Sequence, residues 1–160
     1  MRRPLATAAA ALALMIAAGA SARSARETAP TPEELAKARE AAMIMSVATL
    51  ARVRAALSGE SVKPAVFPAR GLAQWAESIP AMFPASTASL TGTRARPEIW
   101  SDRAGFEARA AAFASATRAM VVAAQADDRA ALTVAVERTA ESCKACHDAY
   151  QAPAPDKPAG

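Results

Sequence analysis

Aromatic side chains are scarce: Phe, Trp and Tyr make up 4% of the 160 residues. A core built only from these side chains is lean for the length, which leaves room for a filler that is not protein. β-Branched residues are few beside 48 alanines, a balance that excludes a sheet-built core and favours helix. No apolar run reaches the ~20 residues that cross a bilayer. No repeat of roughly 20–50 residues is present, which excludes a solenoid. Cysteine occurs twice and histidine once, which falls short of the four ligands of a zinc site unless a carboxylate or a second subunit helps. What is present is 52% apolar and 21% charged, a composition that folds rather than stays disordered. The length supports a single domain.

The first 22 residues are set apart from that domain. Arg2 and Arg3 precede an apolar run from Leu5 to Ala18, and Gly19-Ala20-Ser21-Ala22 follows. A basic start, a short apolar centre and an A-x-A pattern read as a signal peptide, cleaved after Ala22. The expectation is an exported, periplasmic protein that holds no membrane segment after cleavage. Arg2 and Arg3 leave without an acid, so the formal charge of +4 falls by two. A nearly neutral domain has no nucleic-acid footprint.

Residues 23–30 read as a flexible tail, 31–151 as the folded domain and 152–160 as a Pro-rich tail. Thr31-Pro32-Glu33-Glu34 has the form of a helix start, with a capping residue, proline in the first turn and a carboxylate to close the box. That helix is predicted to run to Ser58, where Gly59 stops it, with Met43, Val47, Leu50, Val53 and Leu57 as its apolar stripe. A second helix is predicted over about Pro64–Met82, and Phe83–Pro97 reads as a long loop. Ser101 or Asp102 caps a third helix reaching about Ala126, with Phe106, Phe113 and Met120 at heptad spacing. Asp127 and Asp128 form a turn and cap a fourth helix ending near Tyr150. The predicted fold is all-α, an antiparallel four-helix bundle.

Both cysteines and the histidine lie in Cys143-Lys144-Ala145-Cys146-His147. C-x-x-C-H is the attachment signature of haem c: each thiol adds to one vinyl group, and the adjacent imidazole binds iron. Spacings of three and four put these groups on one helix face. Leu132, Val136, Thr139, Cys143, Cys146 and Tyr150 continue that face as one stripe, so a haem attached there lies against or inside the bundle. One haem c per chain would supply the filler. A second histidine ligand is excluded within the chain, and the other axial position falls to a methionine, to another weak ligand or to none. Met43, Met45, Met82 and Met120 are the methionines available after cleavage. A thiol redox role for Cys143 and Cys146 without haem is the bland alternative, although such motifs open a helix after a strand.

The chain resembles the cytochrome c′ and cytochrome c-556 group. The resemblance is carried by Ala81-Met82-Phe83-Pro84, Pro97-Glu98-Ile99-Trp100, Phe106 and Cys143 to Tyr150, in order and spacing, over roughly residues 31 to 151. It implies covalent haem c on Cys143 and Cys146, with His147 on the iron. It also implies that Arg39-x-x-x-Met43 sets an arginine near a haem propionate and an apolar side chain over the opposite haem face; a solvated surface arginine is the competing reading of Arg39. One position departs from the pattern. Four residues after the histidine, where family members often carry Arg or Lys, stands Gln151, which supplies no charge.

Two outcomes are implied for function. In cytochrome c′ the haem is five-coordinate and takes nitric oxide or carbon monoxide beneath an apolar lid, or passes electrons. In the cytochrome c-556 type a methionine at the Met43 position ligates iron, and the protein is a low-spin electron carrier. The Pro97–Trp100 and Cys143–Tyr150 elements favour the first. The resemblance also implies a homodimer through the first two helices and a redox partner protein. No nucleophile–base pair is apparent, so the expectation is a protein without catalytic activity.

Overall fold

The computed structural model describes residues 29–154. The signal peptide read at 1–22, most of the 23–30 tail and the end of the Pro-rich tail lie outside the described residues. From Pro32 onward the chain forms four long helices, α1 (Pro32–Ala56), α2 (Val66–Ser78), α3 (Arg103–Gln125) and α4 (Arg129–Tyr150). A one-turn helix, Glu98–Ser101, precedes α3. The only β pairing among the described residues is an isolated antiparallel bridge, Ala95 with Gln151. This is the all-α four-helix bundle that the sequence predicts.

Helix boundaries follow local chemistry. α1 begins at Pro32 but ends two residues before the predicted Ser58. There Leu57 and Ser58 donate to the carbonyls of Arg54 and Ala55 (3.0 and 3.3 Å), three-residue bonds that tighten the end into a turn. The predicted second helix is divided: turns of 3₁₀ helix at Lys63–Ala65 and Ile79–Met82 flank α2. Pro68 sits in the first turn of α2, where a missing N–H costs nothing. Asp102, not Ser101, caps α3 by accepting from the Gly105 N–H at 3.2 Å, and Asp128 caps α4 by accepting from Ala131 at 2.9 Å.

The core forms where the stripes meet. Phe106, Met120, Leu132 and Val53 are buried, and alanines such as Ala69, Ala76, Ala110 and Ala135 let the helices approach closely. The buried Thr117 and Thr139 hydroxyls donate to their own helix carbonyls, Ala114 and Ala135. α3 packs most extensively, against α4 and α2; α1 packs on α2 and meets α4 only sparsely. That sparse contact corrects one predicted core position. Val47 is 73% exposed, because at its level α1 faces a cavity rather than a neighbouring helix.

Candidate functional site

The α4 stripe runs from buried Leu132, Val136 and Thr139 to half-buried Cys143 and Cys146, then to buried Tyr150. Where the side chains change from aliphatic to thiol, the wall of the bundle opens into a cavity of about 820 Å³ shared by α1, α3, α4 and the segment before α3. Cys143, Cys146, His147, Arg39 and Met43 all line it. The structure therefore brings together the motif and two residues about a hundred positions from it, Arg39 and Met43, whereas the other methionines available as ligands, Met45, Met82 and Met120, do not line the cavity.

Both thiols are free. Burial pushes each of them up from its ordinary value, and for Cys146 the neighbouring Cys143 adds to the effect. Both are therefore held as uncharged thiols. His147 sits at the exposed rim of the cavity. Its pKa is lowered, by what desolvation it has and then by the Arg94 charge, so the neutral imidazole that binds metals is favoured. Among the described residues no group of three or more His, Cys, Asp or Glu could hold a metal ion.

Arg39 is not a solvated surface residue. It is 5% exposed, and its Nη1 donates to the Thr87 hydroxyl (3.2 Å) and the Met82 carbonyl (3.3 Å). Its guanidinium carbon lies 4.4 Å from the centre of the Phe83 ring. The other terminal nitrogen, Nη2, is buried without a hydrogen-bond partner. Burial lowers its pKa, yet a guanidinium stays charged. A buried cationic N–H left unmade is costly, so the site is built for an anionic acceptor on the cavity side. Met43 is half-buried one turn further along α1, packed against the core and facing the same cavity. Thiols, a neutral imidazole, an unsatisfied guanidinium and apolar walls together fit a flat, largely apolar group that carries carboxylates.

The sequence did not disclose what holds the end of α4 in place. The Tyr150 hydroxyl donates to Asp102 Oδ2 at 2.7 Å, and this bond, ahead of desolvation, pushes the phenol up to about 12. Gly105 leaves room for the pair, since a Cβ there would lie 2.6 Å from the Tyr150 hydroxyl. Phe83, Phe106 and Tyr150 stack edge to face, with centroids 5.1 and 5.4 Å apart. On the other side, the Arg96 N–H donates to the Tyr150 carbonyl (3.0 Å) and the Ala152 N–H to the Arg94 carbonyl (2.8 Å). This pairing carries Arg94 to the cavity beside His147. Gln151 indeed brings no charge there; a cation arrives from the loop instead.

The sequence pattern of the family described as Cytochrome C′ matches residues 34–151. A cytochrome c′ of Alcaligenes xylosoxydans xylosoxydans is 31% identical over 121 residues, 75% of this chain and 94% of that protein. The cytochrome c′ of Pararhodospirillum photometricum is 36% identical over 83 residues, 52% of this chain and 66% of that protein, just under two thirds of its length. Among solved structures, a nitric oxide complex of a cytochrome c prime variant from Alcaligenes xylosoxidans aligns with a TM-score of 0.69 and 30% identity, covering 77% of this chain and 98% of that one.

Proposed function

Since this chain belongs to the cytochrome c′ family, whose cofactor is covalently bound haem c, we propose that it is a periplasmic haem c protein that binds a diatomic gas and passes single electrons. One observation carries the reading. A single cavity joins the Cys143–His147 face of α4 to a buried arginine with an unpaired nitrogen on α1. Cys143 and Cys146 would hold the haem by thioethers, His147 would face its iron, and Arg39 Nη2 would take up a propionate. When bound, the haem supplies an iron that changes oxidation state by one and accepts a small neutral ligand. Met43 covers the opposite wall with an apolar side chain, which excludes water and bulky or anionic ligands while admitting nitric oxide or carbon monoxide. The proposal includes no catalysis, since the one imidazole would be held by the iron.

Absorption and EPR spectra of the haem-loaded protein test this. A high-spin ferric signal, with carbon monoxide binding readily to the ferrous form, is expected. A low-spin spectrum with a sulfur-to-iron band near roughly 695 nm would instead make Met43 a ligand and the protein a cytochrome c-556-like electron carrier. The absence of haem would leave an exported thiol protein. Two copies are further proposed to pair through α1 and α2, where Ile44, Met45 and Phe67 stand 66%, 63% and 87% exposed.

A further inference from the structure

Three arginines from three separate elements converge on the rim of the cavity: Arg54 from the end of α1, Arg94 from the segment before α3, and Arg109 from α3. All three are exposed. Arg94 is held in place by donating from Nε to the Ala152 carbonyl at 2.9 Å, which leaves its charge uncompensated. Neither Arg54 nor Arg109 forms an ion pair or a side-chain hydrogen bond among the described residues. Other surface arginines do find carboxylates, as Arg103 does with Glu107 and Arg118 with Glu77. The acids on the cavity wall, Glu33 and Glu40, lie near the start of α1, interleaved with Lys37 and Arg39. Along the helix they are ~20 Å or more from Arg54. Asp148, which follows His147, is paired with Lys144.

From this convergence we infer that the rim formed by Arg54, Arg94 and Arg109 is the docking surface for an electron-carrier protein that presents a cluster of carboxylates. The inference rests on haem attachment at Cys143 and Cys146, which places the redox centre directly behind the rim. An exposed positive ring concentrates an acidic partner at the mouth and turns it toward the exposed His147 side, raising the encounter rate without a large buried area. The exchange is balanced: one electron passes between iron and the partner's metal, one of them rises by one oxidation state and the other falls by one, and no atom or proton moves.

The test is stopped-flow oxidation of the ferrous, haem-loaded protein by two protein oxidants, plastocyanin as an acidic blue-copper protein and a basic single-haem cytochrome c. With plastocyanin the second-order rate is expected to fall at least tenfold as ionic strength rises from about 0.02 to about 0.3 M, and with the basic oxidant to stay level or rise. Replacing all three side chains (Arg54→Gln, Arg94→Gln, Arg109→Gln) is expected to bring the low-salt plastocyanin rate down to the high-salt value. The single variants Arg54→Gln and Arg109→Gln, each losing part of the salt dependence, serve where the triple variant does not fold. An unchanged rate in the variants, or a basic oxidant that is faster at low salt, overturns the docking surface. Absence of a haem spectrum in the unmodified protein would overturn the functional reading itself, so the two failures are distinct.

Discussion

Arg39 is the residue at which sequence and structure differ most in what they disclose. From the sequence, a place near a propionate and a solvated surface position both stay open for it; the fold decides between them by burying it beside Phe83 and Thr87 with one nitrogen unmet. Arg39→Leu removes both hydrogen bonds and the cationic partner of the cavity. It should destabilise the haem-loaded protein by about 1–3 kcal/mol, measured by denaturant unfolding, and Arg39→Lys should recover part of the loss. His147→Ala should retain haem through Cys143 and Cys146 but lose the proximal nitrogen, and added imidazole should restore the spectrum of the unmodified protein. Met43→Ala should leave the ferric spectrum high-spin and quicken carbon monoxide association; a change from low to high spin in that variant would show Met43 on the iron.

At the scale of elements, α4 was legible because two signals coincide on it: the three-and-four spacing of its stripe and the C-x-x-C-H motif fall on the same face. α3 was legible from Phe106, Phe113 and Met120, all buried. α1 was legible in its start but not in its facing. A stripe drawn through Val47 presumes a neighbour along the whole helix, and the neighbour at that level is the cavity. The pairing of residues 94–96 with 150–152 could not be read, since it joins loop residues distant in sequence by backbone bonds that leave no side-chain pattern. The turn between α3 and α4 is tied down similarly. Asp127, at φ 57°, accepts from the Ser61 hydroxyl (2.8 Å) and the Val62 N–H (2.7 Å), while Arg129 donates to the Leu57 and Gly59 carbonyls.

The Ser61 hydroxyl, then the Val62 N–H, hold the Asp127 carboxyl below the ordinary carboxylate range. A carboxyl depressed by folding contributes stability that is present above its unfolded value near 4 and lost as pH falls through the folded value. The melting-temperature advantage of the protein over its Asp127→Asn variant should therefore hold at neutral pH and shrink below about pH 4. Gly105→Ala should cost about 1–3 kcal/mol by overpacking, since the new Cβ meets Asp102 Oδ2 and the Tyr150 hydroxyl at 2.2 and 2.6 Å.

For the whole molecule, the scarcity of aromatics and the cavity are one fact seen twice: a chain with few large side chains folds around a space that they do not fill. The bundle was legible from helix periods and turns. The need for a filler was legible from the lean core; the size of the cavity was not, because it depends on how far α1 stands from α4. Substituting Met45→Lys and Phe67→Glu on the exposed apolar face, both outside the cavity lining, should convert a dimer to a monomer in sedimentation velocity, with the haem spectrum unchanged. The central claim, haem carried covalently on the Cys143–His147 face, is tested most directly by intact mass spectrometry of protein purified from the periplasm of cells able to mature c-type cytochromes. The expected product is a chain beginning at Arg23 and heavier by the mass of one haem, an increment absent from the Cys143→Ser, Cys146→Ser double variant. A chain without haem and two hydrogens lighter than its dithiol mass, as a Cys143–Cys146 disulfide would make it, would contradict the account.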